Sequence, residues 1–173
     1  MTMKKWLYFL TFLLSITISY GCNQVSQKES TVDSLEMITK GEWEYRTSVD
    51  EMYDTKVYFA RKQAETSVGI MNILIRFRND DGNQVFLDLK GSLFDFGYNK
   101  KNFVTIRFDK DEPVKYVVRP LDNGSDQSVA LSKPIDFIKR AKSATTILIE
   151  TPIFNESTQL FKFEMDNPLK WEH

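Results

Sequence analysis

From Trp43 onward, apolar side chains recur at every second position in short runs, and that period decides what the chain can fold into. Met71, Ile73, Ile75 and Phe77 alternate with Asn72, Leu74, Arg76 and Arg78. Val85, Leu87 and Leu89 alternate with Phe86, Asp88 and Lys90, and Val104, Ile106 and Phe108 with Thr105, Arg107 and Asp109. Alternation over about four to eight residues places successive side chains on opposite faces of a strand. Glu42–Ser48, Val57–Ala60, Val114–Val118, Thr145–Glu150 and Gln159–Met165 read as further strands. Asn79-Asp80-Asp81-Gly82-Asn83 predicts a hairpin loop with Gly82 at positive φ, and Asp122-Asn123-Gly124-Ser125 predicts another turn. One segment breaks the period. Pro134 suits a first helical turn, Asp136 follows it, and Lys139, Arg140 and Lys142 come last, as the helix dipole favours. Phe137, Ile138 and Ala141 form its apolar stripe, fit to lie on a sheet or plug a barrel end. Together these segments predict an all-β fold, a mainly antiparallel β-sandwich or flattened barrel, with one short helix near residues 134–142.

The first 21 residues have a different character. Lys4 and Lys5 precede an apolar run from Trp6 to Ile18, then Ser19-Tyr20-Gly21-Cys22. The run is too short to span a bilayer comfortably, and its layout is that of a secretory signal. Cys22, the only cysteine, stands where the lipobox of bacterial lipoproteins has its lipidated residue, and the segment resembles one. The resemblance implies cleavage before Cys22 and acylation there, with Tyr20 bulkier than is usual beside the cut. Ordinary cleavage leaving a free thiol is the alternative. Asn23, where enterobacterial lipoproteins kept in the inner membrane carry aspartate, favours the outer membrane. Residues 22–40 are polar and read as a tether reaching about 20–25 Å, and 41–173 as a single β-rich domain.

Removing the leader's two lysines leaves 21 basic against 24 acidic residues, a formal charge of −3. The charges are interspersed, which argues against a nucleic-acid partner. The single histidine is His173, so a histidine base, a histidine-assisted nucleophile and a histidine-rich metal site are not expected. No cofactor is expected either, since only 7 glycines are spread along the chain without a phosphate-cradling cluster. A pair of carboxylates acting across a cleft stays open. Asp50, Glu51 and Asp54 form the densest acidic loop, read either as oxygen ligands for Ca²⁺ or, with more weight, as a solvated turn. Arg76, Arg107 and Asp109 alternate with the apolar set and are candidates for a recognition face. Exposed cross-strand ion pairs are the plainer explanation. Phe94, Phe96, Tyr98 and Phe103 around Gly97 are candidates for core packing or for an interface.

Several pieces in order resemble one family: Trp43, Ser48-Val49-Asp50-Glu51-Met52-Tyr53-Asp54, Leu74-Ile75-Arg76, Val104-Thr105-Ile106-Arg107-Phe108-Asp109, Phe137-Ile138 with Ala141, and Phe161 with Phe163. They are similar to the type VI secretion-associated periplasmic accessory proteins, the VasI-like family, over most of Glu42 to Leu169. Phe77 stands where that family often has cysteine, and Met52 follows Asp50 rather than preceding it. The resemblance implies a small periplasmic β domain with an interaction role and no settled catalytic activity. The expectation is a lipid-anchored, non-enzymatic envelope domain, bound to the membrane through Cys22 and to an envelope protein, of open oligomeric state. A small-ligand-binding lipoprotein and a carboxylate-dependent envelope hydrolase are the alternatives.

Overall fold

The computed structural model describes residues 41–97, 102–121 and 125–173. The leader, Cys22, the tether, Tyr98 and residues 122–124 of the second predicted turn lie outside them. The described residues form β1 (Glu44–Asp50), β2 (Thr55–Thr66), β3 (Gly69–Arg78), β4 (Gly82–Lys90), β5 (Phe103–Phe108), β6 (Val114–Pro120), β7 (Ser128–Leu131), α1 (Pro134–Ala141), β8 (Thr146–Thr151) and β9 (Gln159–Glu164). All strand pairs are antiparallel, in the order β1-β2-β3-β4-β7-β6-β5-β8-β9, and the sheet does not close. β6 makes the corner. Its residues Val114–Val117 pair with β5, whereas Val118–Pro120 pair with β7. The result is an all-β, sandwich-like fold in which the sheet turns from one layer into the other along a single strand.

Register carries one apolar row through both layers. Ala60 faces Ile75, and Ile75 faces Val85. Ile73 faces Leu87, which faces Val129. Ile106 faces Ile149, which faces Phe161, and Phe108 faces Ile147, which faces Phe163. These residues are buried in one core, and each such large side chain contributes about 1.5–3 kcal/mol relative to exposure. Helix α1 covers part of the inner face. Pro134 opens it, Asp136 lies in its first turn, and Phe137, Ile138 and Ala141 are buried. Phe137 meets Phe108 edge-on at 5.4 Å and Tyr116 at 6.3 Å. The Tyr116 hydroxyl donates to Asp136, and burial first, with that bond second, pushes its pKa well above the ordinary tyrosine range.

Three features depart from the sequence expectations. β7 was not visible in the alternation, because Ser128–Leu131 supplies only Val129 and Leu131 to the core. β2 and β3 extend as a long hairpin from Thr55 to Arg78, well beyond the Val57–Ala60 run. Asp109 is not on the strand face beside Arg107. It lies past the end of β5 at φ +46°, where the backbone turns and redirects its side chain.

Candidate functional site

The β1–β2 loop (residues 51–54) and the β3–β4 loop (residues 79–81) lie at the same end of the first layer, because Asp50 pairs with Thr55 and Val57 with Arg78. Asp50 Oδ1 accepts the Met52 amide at 3.1 Å, the local bond that makes aspartate a good turn opener. Asp54 leaves the loop at φ +50°, and Gly82 leaves the other at φ +69°, as its turn requires. Arg78 joins the two loops. Its Nε lies 2.7 Å from Asp80 Oδ1, its Nη1 3.3 Å from Asp50 Oδ2 and its Nη2 3.2 Å from Asp81 Oδ2. The bond to Asp80, with the charges of Asp81 and Asp50 behind it, raises the guanidinium above its ordinary pKa. Arg76 lies beside it, with Nε 3.0 Å from Gln84 Oε1 and Nη2 3.6 Å from Asp81. Its guanidinium lies over the Phe86 ring at 5.3 Å.

Above this ionic base the loop presents apolar surface to solvent. Met52 is 81% and Tyr53 65% exposed, and Val49 is exposed beside them. The Arg78 guanidinium lies over the Tyr53 ring at 5.9 Å, yet most of both side chains stays in solvent, and Tyr and Met are enriched where proteins meet. The two loops and their strand ends carry five carboxylates, Asp50, Glu51, Asp54, Asp80 and Asp81, of which Asp50, Asp80 and Asp81 pair with Arg76 or Arg78.

The candidate residues therefore divide. Arg76 and Asp50 join one network and Asp54 stands exposed in the same loop, while Arg107 and Asp109 lie elsewhere. Between β3 and β5 come β4, β7 and β6, so Arg76 and Arg107 stand about 19 Å apart along the sheet at the usual strand spacing. Arg107 is exposed. Asp109 Oδ1 accepts from Thr145 N at 3.0 Å, Thr145 Oγ1 at 3.2 Å and Thr146 N at 2.8 Å, clipping β5 to the start of β8. That bonding gives it a structural task. Among the described residues no group of three or more His, Cys, Asp or Glu is placed to hold a metal ion.

Depressions among the described residues lie away from this loop. One, of about 360 Å³, is lined by Asp95, Phe96, Phe103, Thr105, Glu150 and Thr151 among others. Phe94 is buried and stacks on Phe96 at 5.2 Å, whereas Phe103 is exposed under Lys115, so the aromatic group divides between core and surface. Another, of about 230 Å³, lies between Tyr45, Thr47 and Tyr58 and the chain segment from Lys170 to His173. His173 stacks on Tyr58 at 3.9 Å and on Phe77 at 5.1 Å, and Trp171 Nε1 donates to Asn83 Oδ1 at 2.7 Å. Arg78 was legible as a neighbour of Arg76 in parity and next to a turn. The Tyr58–Phe77–Trp171–His173 cluster had no local signal, because it joins residues about a hundred positions apart. No family model, curated protein or solved structure matches this chain.

Proposed function

We propose that this chain is a lipid-anchored, non-enzymatic accessory domain of the bacterial cell envelope that works by binding another envelope protein. The observation that carries the reading is the β1–β2 loop: Met52 and Tyr53 stand in solvent on a base braced by Arg78. An anchor at Cys22 and a tether over residues 22–40 would hold that loop within reach of partners in the same envelope. Its acidic rim matches a partner pocket that is apolar at its centre and basic at its edge. The similarity to VasI-like proteins supports a secretion-system setting, and the outer membrane is the favoured location.

The reading is tested with a photo-crosslinking residue at position 52 of the full chain in its own envelope. The expected product is one protein adduct that is lost when Tyr53 becomes Ala. An adduct unaffected by Tyr53→Ala, or none, overturns the loop as the recognition surface. Mass spectrometry of the mature chain tests the anchor separately, and an unlipidated thiol at Cys22 would refute it. A second reading, a small-ligand or carboxylate-hydrolase site, is favoured by the 360 Å³ cleft that Asp95 and Glu150 both line. Loss of glycan cleavage or ligand binding on Asp95→Asn with Glu150→Gln would favour that reading.

A further inference from the structure

The sheet has two edges, and they are built differently. β9, of six residues, carries Lys162, paired with Glu164 at 2.5 Å, and lysine is the charge that protected edges favour. β1, of seven residues, carries Glu44, Arg46 and Asp50 but no lysine, no proline and no bulge, since its register with β2 runs residue for residue from Glu44–Arg61 to Asp50–Thr55. Among the described residues nothing lies beyond it in the sheet order. Such an edge is a template for another strand.

The sequence of β1, Glu-Tyr-Arg-Thr-Ser-Val-Asp, says which strand fits. Side chains alternate, so an antiparallel copy keeps the inner faces together only when its dyad passes through a residue. A dyad at Arg46 sets two guanidiniums against each other. A dyad at Thr47 opposes Glu44 to Asp50 twice. A dyad at Ser48 pairs Arg46 with Asp50 twice and Thr47 with Val49 twice, with Ser48 facing Ser48. Opposite charges and β-branched residues directly across a ladder are the favourable cross-strand pairs. Asp50 also bonds Met52 and Arg78 within its own chain. A carboxylate has about four acceptor sites and a guanidinium five donors, so the contact to a mate adds to bonds each side chain already makes.

We propose that two copies of this chain pair antiparallel through β1 about Ser48, joining their sheets into one. Val49 and Asp50 take part in both surfaces, but the pairing does not rest on the loop reading, since the loop tip, Met52 and Tyr53, lies beyond the paired residues 46–50.

The test uses the full chain in its membrane with Ser48→Cys under mild oxidation. The unaltered chain, in which Cys22 is the only cysteine, is the control and reports any free thiol there. The expected result is a reducible species of twice the single-chain mass from Ser48→Cys and none from Arg46→Cys, whose mate lies across from Asp50. Adding Arg46→Asp to Ser48→Cys sets like charges opposite one another and should remove that species, and co-expressing it with Ser48→Cys, Asp50→Arg should restore it as a mixed pair. Circular dichroism of each variant separates loss of pairing from loss of fold. A monomer from folded Ser48→Cys, equal linkage from Arg46→Cys, or linkage to a different protein overturns the proposal.

Discussion

Ile106 and Arg107 are neighbours in sequence with opposite fates, and the difference follows from strand parity. Ile106 is fully buried against Ile149, and Arg107 points outward from the same strand. Ile106→Ala should therefore cost about 2–5 kcal/mol, and Arg107→Ala about 0.5 kcal/mol or less. Chemical denaturation of both variants checks this, and equal costs would mean that the parity is inverted. Lys62 is the charged residue of the apolar row. It faces Ile73 on the inner side, only 6% exposed, and its Nζ donates to the Glu42 carbonyl at 3.3 Å. Burial lowers its pKa despite the attraction of Asp166, Glu42 and Glu44. The unfolded chain thus holds the Lys62 proton to higher pH than the native chain does. This group's contribution to stability therefore rises as pH climbs from the lowered folded value towards 10.5, the ordinary lysine value. Tyr45 works in the opposite direction, because burial raises its pKa and the unfolded chain loses that proton first. Melting of wild type and Lys62→Met from neutral to alkaline pH isolates the lysine. The wild type should gain on the variant across that window, and parallel curves would show that Lys62 titrates as in water.

At the scale of elements, strand ends are held by particular side chains rather than by the ladder. Asp109 closes β5 with three accepted hydrogen bonds at a positive φ that few side chains adopt. Asp109→Ala loses the bonds and keeps the strain, while Asp109→Gly loses the bonds and relieves the strain. Alanine should be the worse variant by about 1 kcal/mol, and Asn the mildest. Calorimetry on the three decides it: glycine as mild as asparagine would show that the bonds are solvent-equivalent, and alanine no worse than glycine would show that the positive φ stores no strain. Most elements were legible because each carries its own period over enough residues. The helix showed its proline, its dipole charges and its stripe, and ends within a residue of the expected 134–142. β7 failed that test because four residues hold too short a pattern, and its place beside β4 and β6 depends on partners remote in sequence.

For the whole molecule, the last residues act as a strap across the inner face. Leu169 N donates to Ala141 O of α1 at 3.2 Å, Lys170 N to the Tyr45 hydroxyl at 2.8 Å and Trp171 Nε1 to Asn83. Leu169 and Trp171 are buried. Trp171→Ala removes a buried indole and strands the Asn83 carbonyl, so it should cost about 3–5 kcal/mol and leave the secondary structure intact. A Tm within a degree or two of wild type would show that the strap is an accessory. Nothing in the sequence around Lys170-Trp171-Glu172-His173 assigns the tryptophan a partner, and only the tertiary contacts give it a task. The same limit applied to the candidate site. Alternation put Arg76, Arg107 and Asp109 on one side of their strands, but it does not state which strands are neighbours. Sheet order separated the two arginines, and a single backbone turn took Asp109 out of the set. By itself the sequence determined the all-β class, the faces of β3, β4 and β5, the helix and the β3–β4 hairpin end, because each depends on residues within a few positions of one another. Tertiary structure alone decided the strand order, the corner at β6, the strap and the braced loop, because each depends on contacts between segments whose sequences do not record who faces whom.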